Sequence, residues 1–269
     1  MTSQRRMRPI AEWPLTERAA IRFVLTDIDD TLTTDGRLTA AAYGALERLT
    51  ERGYRVVPVT GRPAGWCDMI ARFWPVDAVI GENGALWFRY DRGKRTMTRR
   101  FWLGEDEQAA ARARLDRLGA AIVEGVPGAG IAADQAYRVA DLAIDYCEDI
   151  VPPLPQAAVD RIVWLMREAG AAAKISSIHV NGWFGEWDKL AMARRLFAEA
   201  YGIDLSREND AVAFIGDSPN DEPMFAFFAQ SVAVANIRAH LARLYSLPAY
   251  VTAEPAGAGF VEFAEMLLS

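Results

Sequence analysis

Four short stretches hold the residues from which chemistry could be made: Asp27-Ile28-Asp29-Asp30-Thr31, Thr60-Gly61-Arg62, Lys189 and Gly216-Asp217-Ser218-Pro219-Asn220-Asp221. In extended chain, residues two apart point to the same side, so Asp27 and Asp29 share a face. Asp217, at the end of another apolar run, can join them. Converging carboxylates require a cation or a shared proton, and a hard divalent ion, Mg2+ above all, suits an all-oxygen donor set. The same ion would neutralise a phosphate. The phosphate's remaining oxygens need donors, and Thr60, the backbone N–H groups beside it at Gly61 and Arg62, and the Lys189 ammonium could supply them. Lysine is scarce otherwise, with Lys94, Lys174 and Lys189 the three lysines among 30 basic residues.

In open parallel sheets, ligands gather beyond the carboxyl ends of the strands, and that is where these stretches fall. Residues 21–27 read as a buried strand. Thr39 can cap a helix carrying Tyr43, Leu46 and Leu49 at helical spacing, and Gly53 stops it before a second strand, YRVVPV. A helix over 63–73 and a strand over 77–80 continue the βαβ rhythm, which implies a parallel sheet with right-handed crossovers. After Ala85 the pattern changes. LWFRY and TMTRRFW flank the turn-like Asp91-Arg92-Gly93, as in an antiparallel hairpin. A helix (105–118), a strand (137–146), a helix (156–169) and a strand (172–176) follow. The βαβ rhythm returns from Asp188, with a helix to about Tyr201, the strand AVAFIGD, a short helix from Pro219, the strand SVAVA and a last helix after Gly259. The expected architecture is α/β: a doubly wound parallel-sheet core, residues 1–88 and 179–269, interrupted by an α+β insertion, residues 89–178.

The 269 residues, 51% hydrophobic and 25% charged, suit one large domain or two unequal ones with a core that needs no disulfide or structural metal. The net charge of -6 disfavours a surface that tracks nucleic acid. Cys67 and Cys147 read as core thiols in a reducing compartment. The first 20 residues include Arg5, Arg6, Arg8 and Arg18 but no apolar stretch of signal-peptide length, and no run reaches the ~18 apolar residues of a membrane span. A soluble cytoplasmic protein is expected, a monomer or small homo-oligomer without nucleic-acid or membrane partners.

In order and spacing, DIDDT, VTGR, Lys189 and GDSPND resemble the four motifs of the haloacid dehalogenase superfamily phosphatases. The insertion between the second motif and the lysine, with Glu82-Asn83-Gly84-Ala85 before it, resembles the members with a large α/β cap: Cof-like, sucrose-phosphate, trehalose-phosphate and mannosyl-phosphoglycerate phosphatases. Leu190 departs from the Gly that many of these carry after the lysine. The resemblance implies a Rossmann-like core and a small phosphorylated substrate, a sugar or polyol phosphate. Asp27 would be the nucleophile that forms an aspartyl-phosphate, and Asp29 the proton donor and acceptor. Thr60 and Lys189 would hold phosphoryl oxygens. Mg2+ would be bound by the Asp27 carboxylate, the Asp29 backbone carbonyl and Asp217, with Asn220 and Asp221 orienting the metal waters or Lys189.

Substrate contacts are expected from Gly61 and Arg62, from Asn83 in the Glu82-Asn83-Gly84 turn, and from His179 and Asn181 in the segment returning to the core. Trp183, Glu186 and Trp187 in that segment would suit a sugar ring or simply pack. Asp141 and Asp145 alternate on one strand face, which reads as solvated. A phosphomutase would use the same paired aspartates. A phospho-acceptor switch is the more distant alternative, disfavoured by the insertion and by Asp29.

Overall fold

A computed structural model describes residues 7–269; Arg5 and Arg6, with the start of the expected core segment, lie outside the described residues. Along the chain the strands and helices are β1 (Arg8–Pro9), α1 (Leu15–Arg18), β2 (Phe23–Thr26), α2 (Ala40–Glu51), β3 (Arg55–Pro58), α3 (Ala64–Phe73), β4 (Val79–Gly81), β5 (Leu86–Asp91) and β6 (Thr96–Phe101). Then come α4 (Glu105–Gly125), β7 (Gly130–Ile131), β8 (Leu142–Asp145), α5 (Gln156–Glu168), β9 (Ala172–Ile175) and β10 (His179–Trp183). The chain closes with α6 (Lys189–Leu196), β11 (Val212–Gly216), α7 (Glu222–Phe227), β12 (Gln230–Ala233), β13 (Tyr250–Val251) and α8 (Ala256–Leu268).

The core sheet has the order β1-β13-β12-β11-β2-β3, parallel throughout. Its central strands are buried on both faces, because helices cover each side. Alternation along β2 divides its side chains between the layers. Val24 packs with Leu46 of α2 and Phe260 and Phe263 of α8, while Phe23 and Leu25 pack with Met192 and Leu196 of α6 and Phe225 of α7. The turn chemistry is as the sequence implies at α2: the Thr39 side chain accepts from Ala42 N, and Gly53 follows at φ +99°.

Beside this sheet lies a three-stranded antiparallel one, β4-β5-β6. Residues 77–80 therefore do not add a full parallel strand to the core; a single bridge, Val59 to Ile80, is what remains of that pairing. Trp87 of β5 joins the core cluster with Leu25, Met192 and Phe214. The boundary expected between 88 and 89 thus falls inside β5 and would split a hairpin that packs on the core.

The insertion folds as a four-stranded antiparallel sheet, β7-β8-β10-β9, carrying α4 and α5 around Leu115, Ile122, Ile144, Ile162 and Val180. The return to the core was expected at 179, but His179–Trp183 is an interior strand of this cap sheet, paired to β8 and β9. Packing accordingly sets the cap at about 104–183. At the two crossings, Trp102, Leu103, Trp183 and Trp187 cluster around Ala85 and Ala140. Trp183 and Trp187 stack with ring centroids 6.0 Å apart. They are buried where core and cap cross and do not line the cleft as a sugar platform. Among the described residues, no helix is long and apolar enough to cross a membrane.

Candidate active site

β2 ends at Thr26, and the next residue, Asp27, sits buried at the carboxyl edge of the sheet. Opposite it, Lys189 is the first residue of α6, whose cap Asp188 accepts from Ala191 N at 2.7 Å. This helix start presses on the turn after β4. Gly84 there has φ +105°, and a Cβ would lie 2.1 Å from the Asp188 carbonyl oxygen, so only glycine fits. Lys189 Nζ donates to Asp27 Oδ1 at 2.6 Å and to Asp221 Oδ1 at 2.7 Å. The other Asp221 oxygen accepts from the backbone of Asp217 at 3.1 Å and of Ser218 at 3.4 Å, a capping box at the Pro219 turn. Asp217 in turn accepts from Thr31 Oγ1 at 3.3 Å and from Asn236 Nδ2 at 3.2 Å.

Asp27, Asp217 and Asp221 offer oxygens that all lie within 4.8 Å of one another, and all three are buried. Burial, with the charges of Asp221 and Asp29, pushes Asp27 up to about 8 against the pull of Lys189. Burial, Asp27 and Asp221 likewise raise Asp217 well above the carboxylate range. Against the cost of burial, Asp221 and Asp27 hold the Lys189 ammonium up. Three buried carboxylates stand around one ammonium that reaches two of them, Asp27 and Asp221, and the uncompensated charge fits a hard divalent cation on oxygen donors. Of the expected metal set, Asp221 is engaged with Lys189, and Asn220 Oδ1 accepts from Ser218 Oγ at 2.7 Å.

The Asp29 side chain turns away from this triad. Arg62 holds it with Nε at 2.9 and 3.0 Å and Nη2 at 2.8 Å, and Nη2 also reaches Glu148 Oε1 at 2.8 Å. Expected as a substrate contact, the Arg62 guanidinium is instead committed to carboxylates and stacks over Trp66 at 4.6 Å. Its backbone N–H donates to Thr60 Oγ1 at 3.0 Å. Asn83, at φ +54°, is buried against Gly61, where an added Cβ would meet its Nδ2 at 3.2 Å. That Nδ2 has no hydrogen-bond partner, a buried donor beside the Thr60-Gly61-Arg62 turn.

The cap supplies the opposite wall. His179 and Asn181, both on β10, line the cleft with Arg138 and Ser177. Asp141 and Asp145, expected on a solvated face, are buried. Asp141 accepts from Arg138 Nη1 at 3.0 Å and from Asn181 Nδ2 at 3.1 Å, and Asp134 takes the other edge of the same guanidinium at 2.8 and 2.9 Å. Arg138 Nη1 also donates to the Gly61 carbonyl at 2.8 Å. Asp145 accepts from the backbone of Cys147, Glu148 and Asp149 at 2.8–2.9 Å, fixing the turn after β8. Glu148 on that turn has Oε2 2.8 Å from His179 Nε2. Against the cost of burial, His179 and Arg62 pull Glu148 down to about 2.

Glu82, read only as part of a turn, is the core's anchor for the cap. Its fully buried carboxylate accepts from Ala64 N at 2.9 Å and from the consecutive N–H groups of Val139, Ala140 and Asp141 at 2.9, 2.6 and 3.1 Å. Burial and Asp141 push it up to about 7, against Arg138 and these donors. Over Asp27 the closed cleft has a volume of about 10 Å3, room for about one water.

Residues 24–103 match the family model of haloacid dehalogenase-like hydrolases. Comparison with curated protein sequences gives no match. Among solved structures, a Thermoplasma acidophilum protein has 20% identity and a TM-score of 0.68, covering 92% of this chain and 98% of its own. The sucrose-phosphatase of Synechocystis, solved with sucrose and phosphate, has 16% identity and a TM-score of 0.62, covering 91% and 97%. A trehalose-6-phosphate phosphatase related protein has 16% identity and a TM-score of 0.62, covering 91% and 96%. The chain thus has the fold of the haloacid dehalogenase-like hydrolases and, over residues 24–103, their sequence.

Proposed function

We propose that the protein is a Mg2+-dependent phosphomonoesterase for a small phosphorylated metabolite, a sugar or polyol phosphate. One observation carries this reading: the Asp27 carboxylate is buried at a strand end, in contact with Lys189 and within 4.8 Å of Asp217 and Asp221. Family membership over residues 24–103 and the sugar-phosphatase neighbours support it. Mg2+ held by Asp27 and Asp217, with the Asp29 carbonyl, would neutralise phosphoryl charge and restore Asp27 to its anionic form.

In this mechanism Asp27 attacks phosphorus and the ester oxygen leaves with a proton from Asp29, giving an aspartyl-phosphate and an alcohol. Water then attacks the same phosphorus, Asp29 takes its proton, and Asp27 and inorganic phosphate are released. Lys189 and the Thr60 loop hold the non-bridging oxygens as charge develops. Asp29 must first exchange Arg62 for the leaving oxygen, so the cap-linked Arg62 governs its availability. The test is phosphate release over a panel of phosphorylated metabolites, with Mg2+ and with EDTA. Isomerised sugar phosphate without free phosphate would favour a mutase, and a stable phosphoprotein without turnover a phospho-acceptor.

A further inference from the structure

Where the leaving group sits is a question of room. Two cavities flank the closed cleft, one of about 460 Å3 on the Asp217 side and one of about 270 Å3 that Asp29 lines together with Arg62, Glu148 and Ile178. A group that protonates the leaving oxygen must lie within hydrogen-bond reach of it, so the leaving group belongs in the smaller cavity, beside Asp29. Around that cavity Asp29, Asp30, Asp35 and Glu148 stand against one cation, Arg62.

The basic groups nearest a second anion there are Arg62 and His179, and both face Glu148. Arg62 spends its Nε and Nη2 on Asp29 and Glu148, and the His179 imidazole faces Glu148 at 2.8 Å. Asp145 binds the backbone N–H groups of the turn that carries Glu148, and Arg62 holds the Glu148 carboxylate at its tip. A substrate carboxylate or second phosphate entering this cavity would lose water and meet like charge from Asp30, Asp35 and Glu148, and Glu148 keeps its hold on Arg62 Nη2 when Asp29 turns to the leaving oxygen. A hydroxyl would instead donate to these carboxylates.

We propose that Glu148 is a specificity-determining residue that rejects a second negative charge, so that the substrate is the phosphate monoester of a hydroxylated, otherwise non-anionic small molecule. The inference rests on the phosphatase reading and concerns the leaving-group side of that same site.

The test compares kcat/KM, with Mg2+, for glycerol phosphate and 3-phosphoglycerate, which differ by CH2OH against carboxylate. The wild type should favour glycerol phosphate at least tenfold. Glu148→Gln keeps the shape and hydrogen-bonding capacity and removes the charge, and should cut that ratio at least tenfold through a gain on 3-phosphoglycerate. Taking a ratio cancels any general loss of activity that the two substrates share, and Glu148→Ala provides the same readout should the glutamine variant misfold. A wild-type ratio of one or less overturns the proposal, as does an unchanged ratio in a folded variant. p-Nitrophenyl phosphate separates the two levels. If the wild type releases phosphate from it or from any member of the metabolite panel and the ratio does not move, the specificity inference alone fails; if it releases phosphate from none of them with Mg2+, the phosphatase reading fails and takes the inference with it.

Discussion

Asp27 is asked to be both dry and charged, and the two demands oppose each other. Its folded value of about 8 stands above the ordinary 3.8, so the group favours the fold most below about pH 4. That contribution is lost as pH rises towards 8 and the buried carboxylate ionises. Asp27→Asn removes the penalty together with the nucleophile. In EDTA at pH 7.5 its melting temperature should equal or exceed that of the wild type, while phosphate release falls by at least about a thousandfold. Mg2+ should raise the wild-type Tm, by the equivalent of about 2 to 3 kcal/mol at a hundredfold excess over Kd, and raise that of Asp217→Asn much less. Glu148 has the opposite sign. Held down to about 2, it stabilises the fold above its ordinary 4.5, and that support is lost as pH falls from there towards 2. Glu148→Gln should cost on the order of 1 kcal/mol at pH 7, with the difference closing in acid titrations followed by circular dichroism.

At the scale of elements, the placement of Lys189 depends on a helix start wedged against the Gly84 turn. Gly84→Ala combines a positive φ with a 2.1 Å overlap on backbone, so it should cost about 3 kcal/mol or more and displace α6. Thermal melts would show the loss, and a folded remainder should lose kcat more than KM. Asp27, Asp29, Thr60, Lys189 and Asp217 were legible in the sequence because each lies at a strand end or helix start that local pattern marks. Their partners were not. Arg138 meets Gly61 across 77 residues and Glu82 meets Ala140 across 58, contacts that no local period encodes. The cap boundaries depend on distant pairing for a related reason: LWFRY reads as a hairpin strand and residues 179–187 as a segment returning to the core, and only the observed packing and pairing put β5 on the core and β10 in the cap sheet.

At the scale of the whole molecule, the core sheet and the cap sheet meet over one cleft, with a fixed seam and a free lip. Glu82 ties three consecutive cap amides to the core near the hinge, whereas the Ser176–Ile178 turn touches the core through Ser177 on Asp30. With room for about one water over Asp27, a phosphoryl group would need the lip to lift about that seam. Hydrogen exchange should therefore show Val139–Asp141 protected throughout, and 176–178 exchanging fast alone but slowed by Mg2+ with vanadate. Equal protection of both segments in both states would contradict a hinged cap. The stacked Trp183 and Trp187 straddle that seam, one in a cap strand and the other just ahead of Lys189. Two indoles 6.0 Å apart couple electronically, and their near-ultraviolet dichroism depends on the angle between them. The protein therefore carries a built-in optical protractor for its own opening, readable in stopped flow without any label.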